Sequence, residues 1–525
     1  MDGHIKKEPR FSLSGPVGWG LIALVFCFLV IFLGMAGTEG RWTYPLDDAY
    51  IHLALARNLA STGVWGIQPG EFAFCSSSPL WTLLLTACFK FLPFSEWLPG
   101  LLSVGFTAAA VASLAGLLQP LERWKRWLCL GAVLLALPAA VTGSLGMEHA
   151  LHAWLTILLI KVFMRYRGAE EPARAMGAGL AVVGLLATAT RMESLFLIIP
   201  MSVLLVGEKR WRMSIGLLAA SCLPLVVYGL YAQANGGHWL PNSLLLKGHF
   251  HTVGSLLSTL VRLPFAVHSS NLHLYLLALL MGLAFFAASS NVGRTAGCVF
   301  VAIGGQLVFA QCPNFYRYDA FLVAAAAGCV FAGLSAGSPC RGPRWLRGLL
   351  AIVLLSAAFW LGLRGAWATM RCVQAPANIY GQQMQLARIF SGLPPAQRGP
   401  VAINDLGCLS LYADAPVVDL WGLGSQEVAD LKIKGAFDAE AVARLFARHH
   451  VKYVAVFDEW IPRSLLPKDV ILVGCLSIGG NHVCLSPHVM LYATSPAAAD
   501  ALRVRLAEMR KSLPRQTSID IALIL

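Results

Sequence analysis

The chain has 525 residues, of which only 13% are charged and 57% are hydrophobic. A soluble protein carries about 25% charged residues, so a soluble particle of this size is excluded. The formal charge of +13 sits in short basic clusters between apolar runs, which is a topology signal and not the continuous basic face that nucleic acid needs.

About 20 apolar residues cross a bilayer as a helix. The first such run is Leu21–Gly34, with Lys6, Lys7 and Arg10 before it. No small-residue cleavage site follows, and Arg41-Trp42-Thr43-Tyr44 has the composition of an interfacial exit. A retained signal-anchor helix is therefore expected. Next come Asp47-Asp48 and the apolar-periodic run Tyr50–Leu59. Pro79–Leu118 is long enough for two helices, but the flanking charges require one net crossing. Pro79–Phe91 is expected to enter shallowly or as a broken helix, and Leu98–Leu118 to complete the crossing.

The clusters Arg123/Lys125/Arg126, Arg165/Arg167/Arg174, Lys209/Arg210/Arg212 and Arg341/Arg344/Arg347 belong with the N-terminus on the cytoplasmic side. Leu128–Thr142 then leads out and Leu151–Phe163 back, Ala175–Ala189 out and Leu195–Val206 back, and Ile215–Tyr231 out. After a long outer loop Leu272–Ala288 returns, Ala296–Ala310 leaves, Ala320–Ala336 returns and Leu346–Leu363 leaves. The reading is a mainly α, polytopic transmembrane bundle of about eleven crossings over residues 1–363.

From Arg364 the composition changes, and residues 364–525 read as a small extracytoplasmic α/β domain. Val401–Asn404, Val417–Leu420, Val451–Phe457 and Val470–Leu476 are predicted strands, and Asp438–His449 and Ala497–Lys511 predicted helices. There is no G-x-G-x-x-G and no Walker motif, so no nucleotide is assigned. The 13 cysteines include no C-x-x-C pair. Cys475 and Cys484 flank a Gly479-Gly480-Asn481 turn, where a disulfide and two free thiols are equally compatible with the sequence. No metal-ligand spacing is present; no cofactor is assigned, and a divalent cation is left open.

In this topology the polar loops share the outer side: Asp47-Asp48, Ser144–His149, Thr190–Ser194, Pro241–Lys247 and Tyr316–Asp319. Ionisable groups near membrane depth cost a few kcal/mol each unless paired or wet, and so mark functional cavities. One carboxylate of an adjacent pair can deprotonate an attacking alcohol, while the other caps the helix that follows. Lys247, Arg317, Arg191 and Arg57 are the cations available to a phosphate leaving group, against the plainer reading of interfacial anchors. Glu148 and Glu193 either pair with Arg191 or Arg57 or bind substrate hydroxyls. Asn242, Tyr50 and His149 join them as substrate-binding candidates, although His52, His149 and His152 read first as satisfied polar neighbours.

Asp47-Asp48-Ala49-Tyr50-Ile51, Ala56-Arg57-Asn58-Leu59-Ala60, Pro69-Gly70-Glu71 and Ser77-Ser78-Pro79-Leu80-Trp81 resemble the start of GT-C-type integral membrane glycosyltransferases. The resemblance is closest to the mycobacterial terminal arabinofuranosyltransferase group and its bacterial relatives. Gly146-Met147-Glu148, Thr190-Arg191-Met192-Glu193, Pro241-Asn242-Ser243 with Lys247, and Asp419-Leu420-Trp421-Gly422-Leu423 continue it. Met147 and Met192 depart from the usual residues. The resemblance implies a multi-pass protein of the bacterial inner membrane that uses a polyprenyl-phosphate sugar donor. It also implies inverting transfer on the outer face and an Asp base in the first outer loop, Asp47 first and Asp48 as the alternative. The sugar would be arabinofuranose first, mannose or another hexose second, and the acceptor a glycan, a lipid or a secreted protein. The rival reading, a transporter or flippase for a lipid-linked anion, usually shows internal repeats, and none is seen.

Overall fold

The computed structural model describes residues 15–247, 253–288, 290–310, 315–336 and 343–522. Lys6, Lys7, Arg10 and Arg341 lie outside these residues, as does the side chain of Lys247.

The bundle begins with α1 (Pro16–Met35), α2 (Asp48–Thr62), α3 (Pro79–Phe91) and α4 (Leu98–Leu117). It continues through α5 (Arg123–Ala136), α6 (Ala139–Ser144), α7 (His149–Gly168), α8 (Arg174–Thr190), α9 (Leu195–Gly207) and α10 (Trp211–Ala234). Then come α11 (Asn242–Lys247), α12 (Val253–Arg262), α13 (Leu272–Ala287), α14 (Ser290–Phe309), α15 (Ala320–Ser335) and the long α16 (Arg344–Gly381). Among the described residues five helices, in α1, α4, α10, α14 and α16, are long and apolar enough to cross a membrane; α3, α8, α9, α13 and α15 are apolar but shorter. Val25, Phe32, Val203, Phe286, Ile352 and Phe359 are all more than half exposed. Water would not tolerate so much open apolar surface, whereas lipid does. The chain is a multi-pass membrane protein.

Two elements differ from the sequence reading. The expected single segment Leu128–Thr142 is split into α5 and α6 at Leu137-Pro138; proline lacks the N–H that would continue the helix. The expected boundary at residue 363 falls inside α16, which runs on through Arg364 and Arg371 without a break.

Beyond α16 lie α17 (Gln383–Ser391), β1 (Val401–Ile403), α18 (Gly407–Tyr412), β2 (Val417–Asp419), α19 (Gln426–Ile433) and α20 (Ala439–Arg448). The chain ends with β3 (Tyr453–Val456), β4 (Ile471–Ile478), β5 (His488–Ala493), α21 (Pro496–Met509) and β6 (Thr517–Ile521). The strands form one mixed sheet in the order β2-β1-β3-β5-β4-β6. β2, β1 and β3 are parallel, and the other pairings are antiparallel. The four predicted strands are β1 to β4, and the two predicted helices are α20 and α21. β5 and β6 were not predicted. β6 lies at the sheet edge; its alternation Thr517-Ser518-Ile519-Asp520-Ile521, with only Ile519 fully buried, was the available signal. Cys475 and Cys484 are free thiols. Cys475 sits opposite Met490 in the β4–β5 ladder, while the Cys484 thiol lies 3.6 Å from Gln383 Oε1.

The C-terminal α/β domain, called the outer domain from its expected side, shares a core with the bundle. Ile51 and Leu55 of α2, with Trp65, Phe74 and Tyr228, pack among Phe390, Leu406, Tyr453 and Phe457. Each such side chain contributes about 1.5–3 kcal/mol when fully buried. The approach is tightest at Gly407, where a Cβ would lie 2.1 Å from the Asp47 carbonyl oxygen; only glycine lets the two backbones come so close.

Candidate active site

Where this shared core opens, a cleft of about 290 Å³ is lined by Asp47, Asp48 and Arg317 from the bundle and Asp405, Trp460 and His482 from the outer domain. The two aspartates at the start of α2 meet different surroundings. Asp47 is 6% exposed. Its carboxylate accepts the backbone N–H of Gly407 at 2.5 Å and of Cys408 at 2.8 Å, at the start of α18. Asp48, the first residue of α2, keeps 30% of its side chain exposed and pairs through Oδ2 with Arg317 Nη2 at 2.6 Å. Tyr50, two residues further on, is buried, its hydroxyl accepting the Tyr44 N–H at 3.1 Å. It fixes the loop that carries the pair and does not face the cleft.

The third carboxyl group, Asp405, lies just past the end of β1. Burial pushes its carboxyl well above the usual carboxylate range, and the neighbouring Asp47 charge and hydrogen bond add to this. Burial also raises Asp47, but the Cys408 amide, the Asp405 hydrogen bond and the Gly407 amide oppose it. The shared proton therefore rests on Asp405, which donates to Asp47. In the unfolded chain Asp titrates near about 3.9, so above that pH the folded protein binds the extra proton. The contribution of Asp405 to stability is then greatest at low pH and falls as pH rises from about 4 toward the raised folded value. Asp405→Asn keeps a donor toward Asp47 without a titrating proton. It is expected to raise the unfolding temperature at neutral pH and to flatten its pH dependence; thermal unfolding of the detergent-purified protein across pH checks both.

Behind Arg317 the candidate charges form one buried network. Arg317 donates to Tyr318 Oη at 3.1 Å and to Met147 Sδ at 3.2 Å, so one departing methionine supplies a weak acceptor. The Arg317 and Arg191 guanidinium groups lie 4.8 and 5.1 Å from the Tyr318 ring centroid. Arg191 pairs with Glu148 at 2.6 Å and with Glu193. Glu148 also meets His52 at 3.4 Å and His149 at 3.8 Å. His152 bonds Ser194 Oγ at 2.8 Å. Glu148, Glu193, Arg191 and His149 thus support Arg317 from behind and do not line the cleft. Asp319, at the end of the same loop, pairs with His273 and with Arg364 at 2.7 Å.

Two candidates sit elsewhere. Asn242 is fully buried, its amide donating to the Leu423 carbonyl at 3.4 Å, so it docks α11 on the outer domain. Arg57 is exposed and donates to the Leu411 carbonyl at 3.2 Å, near the C-terminal end of α18. The backbone of Lys247 ends α11 and its side chain lies outside the described residues.

Sequence reasoning missed Asp405, Arg364 and Arg371. The two arginines stand seven apart on α16, on one helical face, and that spacing inside an apolar stretch was the available signal. They line a second cavity of about 570 Å³ with Trp360, Leu363, Trp367 and Tyr316. It adjoins the first, since Phe315 and His482 line both. Arg371 donates to the His482 carbonyl at 2.6 Å and lies over the Trp367 ring at 5.5 Å. Among the described residues no three His, Cys, Asp or Glu side chains are placed to hold a metal ion. Asp47 and Asp48 are engaged by the partners named above.

A family model for a domain of unknown function (DUF8728) matches residues 377–492. None of the curated proteins matches the chain. Among solved structures, ArnT from Cupriavidus metallidurans in the apo state is similar over 92% of this chain and 98% of its own, with 12% identity and a TM-score of 0.51. An Archaeoglobus fulgidus oligosaccharyltransferase in the apo form overlaps 98% of this chain and 76% of its own, with 11% identity and a TM-score of 0.49. Arabinofuranosyltransferase AftD from Mycobacteria overlaps 93% of this chain and 42% of its own, with 16% identity and a TM-score of 0.44. At this identity the likeness to ArnT is one of fold: the chain has the GT-C-type architecture, a membrane helical bundle with a small C-terminal α/β domain.

Proposed function

We propose that the protein is an inverting membrane glycosyltransferase that moves a sugar from a polyprenyl-phosphate donor to a hydroxyl acceptor. The reaction is placed on the outer face of a bacterial inner membrane, with the N-terminus cytoplasmic. Arabinofuranose is the first sugar to test and mannose or another hexose the second. One observation carries the reading: a carboxylate, Asp48, stands against a buried cation, Arg317, in a cleft where a lipid-facing bundle meets an outer domain.

The neighbouring cavity suits the donor. Its tryptophans and Leu363 can receive the first isoprene units, and Arg364 and Arg371 the phosphate. The sugar then reaches into the cleft. An acceptor hydroxyl gives its proton to Asp48 as its oxygen bonds the anomeric carbon. The bond from that carbon to the phosphate oxygen breaks, and polyprenyl phosphate leaves as the anion, stabilised by arginine. A single displacement inverts the anomeric centre. The base role falls to Asp48 here because Asp47 is buried and spends both carboxylate oxygens on backbone amides. Arg317 can turn from Asp48 toward the arriving phosphate, leaving the carboxylate more basic when the donor is in place.

Purified protein incubated with a hydroxyl acceptor (glycan, lipid and peptide in turn) and polyprenyl-phosphate arabinofuranose, or separately polyprenyl-phosphate mannose, should release polyprenyl phosphate from one of the donors as its sugar passes to the acceptor. Arg371→Gln should raise the donor KM by about tenfold, the loss of one charge-assisted contact. No release from any such donor would defeat the proposal.

A further inference from the structure

The outer domain presents an aromatic platform that the transfer step does not use. The carboxyl ends of the parallel strands β2, β1 and β3 all point to one edge of the sheet, the position where open α/β sheets bind ligands. Asp405 follows β1, Trp421 follows β2, and Phe457 with Trp460 follows β3. Trp421 and Trp460 stack at 4.2 Å between centroids and 25° between planes, and Phe457 meets Trp460 edge-on at 6.1 Å. Trp460 lines the cleft with Asp48 and Asp405.

The segment Asp419-Leu420-Trp421-Gly422-Leu423-Gly424 is built to hold this platform. The buried Asp419 carboxylate accepts the N–H groups of Trp421 and Gly424, each at 2.7 Å. Gly422 takes a left-handed φ of +96°, and a Cβ on Gly424 would lie 2.2 Å from Ile67. Lys432 Nζ stands 4.3 Å from the Trp421 ring centroid. The rings are therefore fixed before any ligand arrives, which removes much of the ordering cost of binding.

Resting on the glycosyltransferase reading, we propose that the acceptor is a neutral carbohydrate, with a sugar ring lying on Trp460 and its hydroxyl directed at Asp48. A sugar ring offers a face of C–H groups with slight positive character, which suits the negative face of an indole. Its hydroxyl groups suit the carboxyl group of Asp405 beside it. Asp458 and Glu459, exposed and next to Trp460 in the chain, add negative charge at the rim, which disfavours an anionic lipid headgroup or an acidic peptide.

The test uses detergent-purified full-length protein with linear arabino-oligosaccharides and manno-oligosaccharides as probes. Binding is read by tryptophan fluorescence without donor, and acceptor and donor KM are read with donor present. Trp460→Ala should weaken oligosaccharide binding and raise the acceptor KM by about tenfold, and Trp460→Phe by about threefold or less, in line with the worth of an aromatic contact. The donor KM should move much less in both. Retained thermal unfolding separates a lost contact from a lost fold, and Trp460→Phe serves if Trp460→Ala does not fold. The proposal is overturned if wild-type protein binds neither oligosaccharide series, if a peptide or lipid serves as acceptor in their place, or if both variants bind like wild type. Binding without polyprenyl phosphate release from any donor would instead defeat the transferase reading alone.

Discussion

Asp48→Asn is expected to lower kcat by roughly 10²–10⁴-fold, the usual worth of a positioned general base. Asparagine has the same size, and its carbonyl oxygen can still accept from Arg317, so the cleft keeps its shape. It cannot take the acceptor's proton. Arg317 remains within the field of Glu148, so no cation is stranded by the change. Donor and acceptor KM should move little. Turnover of Asp48→Asn within about tenfold of wild type would remove Asp48 from the chemistry and return the role to Asp47.

Its neighbour should fail differently. Asp47→Ala strips the acceptors from the Gly407 and Cys408 amides in a buried contact. Two buried N–H groups without partners cost roughly 2–5 kcal/mol together. The expected result is a large fall in unfolding temperature and protease cleavage near the start of α18, with activity lost because the cleft's far wall has moved. Asp47→Asn keeps one acceptor and should lose less. If Asp47→Ala unfolds like wild type but is inactive, Asp47 acts in catalysis and its bonds to α18 are not what holds the fold.

The helices were legible because lipid imposes long apolar runs, and the basic clusters between them could be seen without knowing any contact. β1 to β4 were legible for the related reason that β-branched residues are concentrated in them. The aspartate pair was also visible, but not the division of labour within it. That division depends on Gly407 and Cys408, which lie 360 and 361 residues away and carry no local sign of it. Asp405 was hidden for the same reason: a single aspartate after a short strand is ordinary until Asp47 and Gln383 are placed beside it. Arg364 and Arg371 fell just past an assumed helix end. Glu148 and Arg191 were named as candidates with an ion pair as the plainer alternative, and the fold makes that pair at 2.6 Å.

The reach of the Asp47 contact also orders events in the making of the protein. A chain emerging from the ribosome inserts its early helices long before Gly407 and Cys408 exist. Until then the Asp47 carboxylate has no wall to close against, and the space between Asp48 and Trp460 is open to water. A nascent or truncated chain would therefore sit in the membrane with the Asp47-Asp48 pair present and its cleft unbuilt. Only arrival of the last quarter of the chain, with Gly407 and Cys408, completes the cleft.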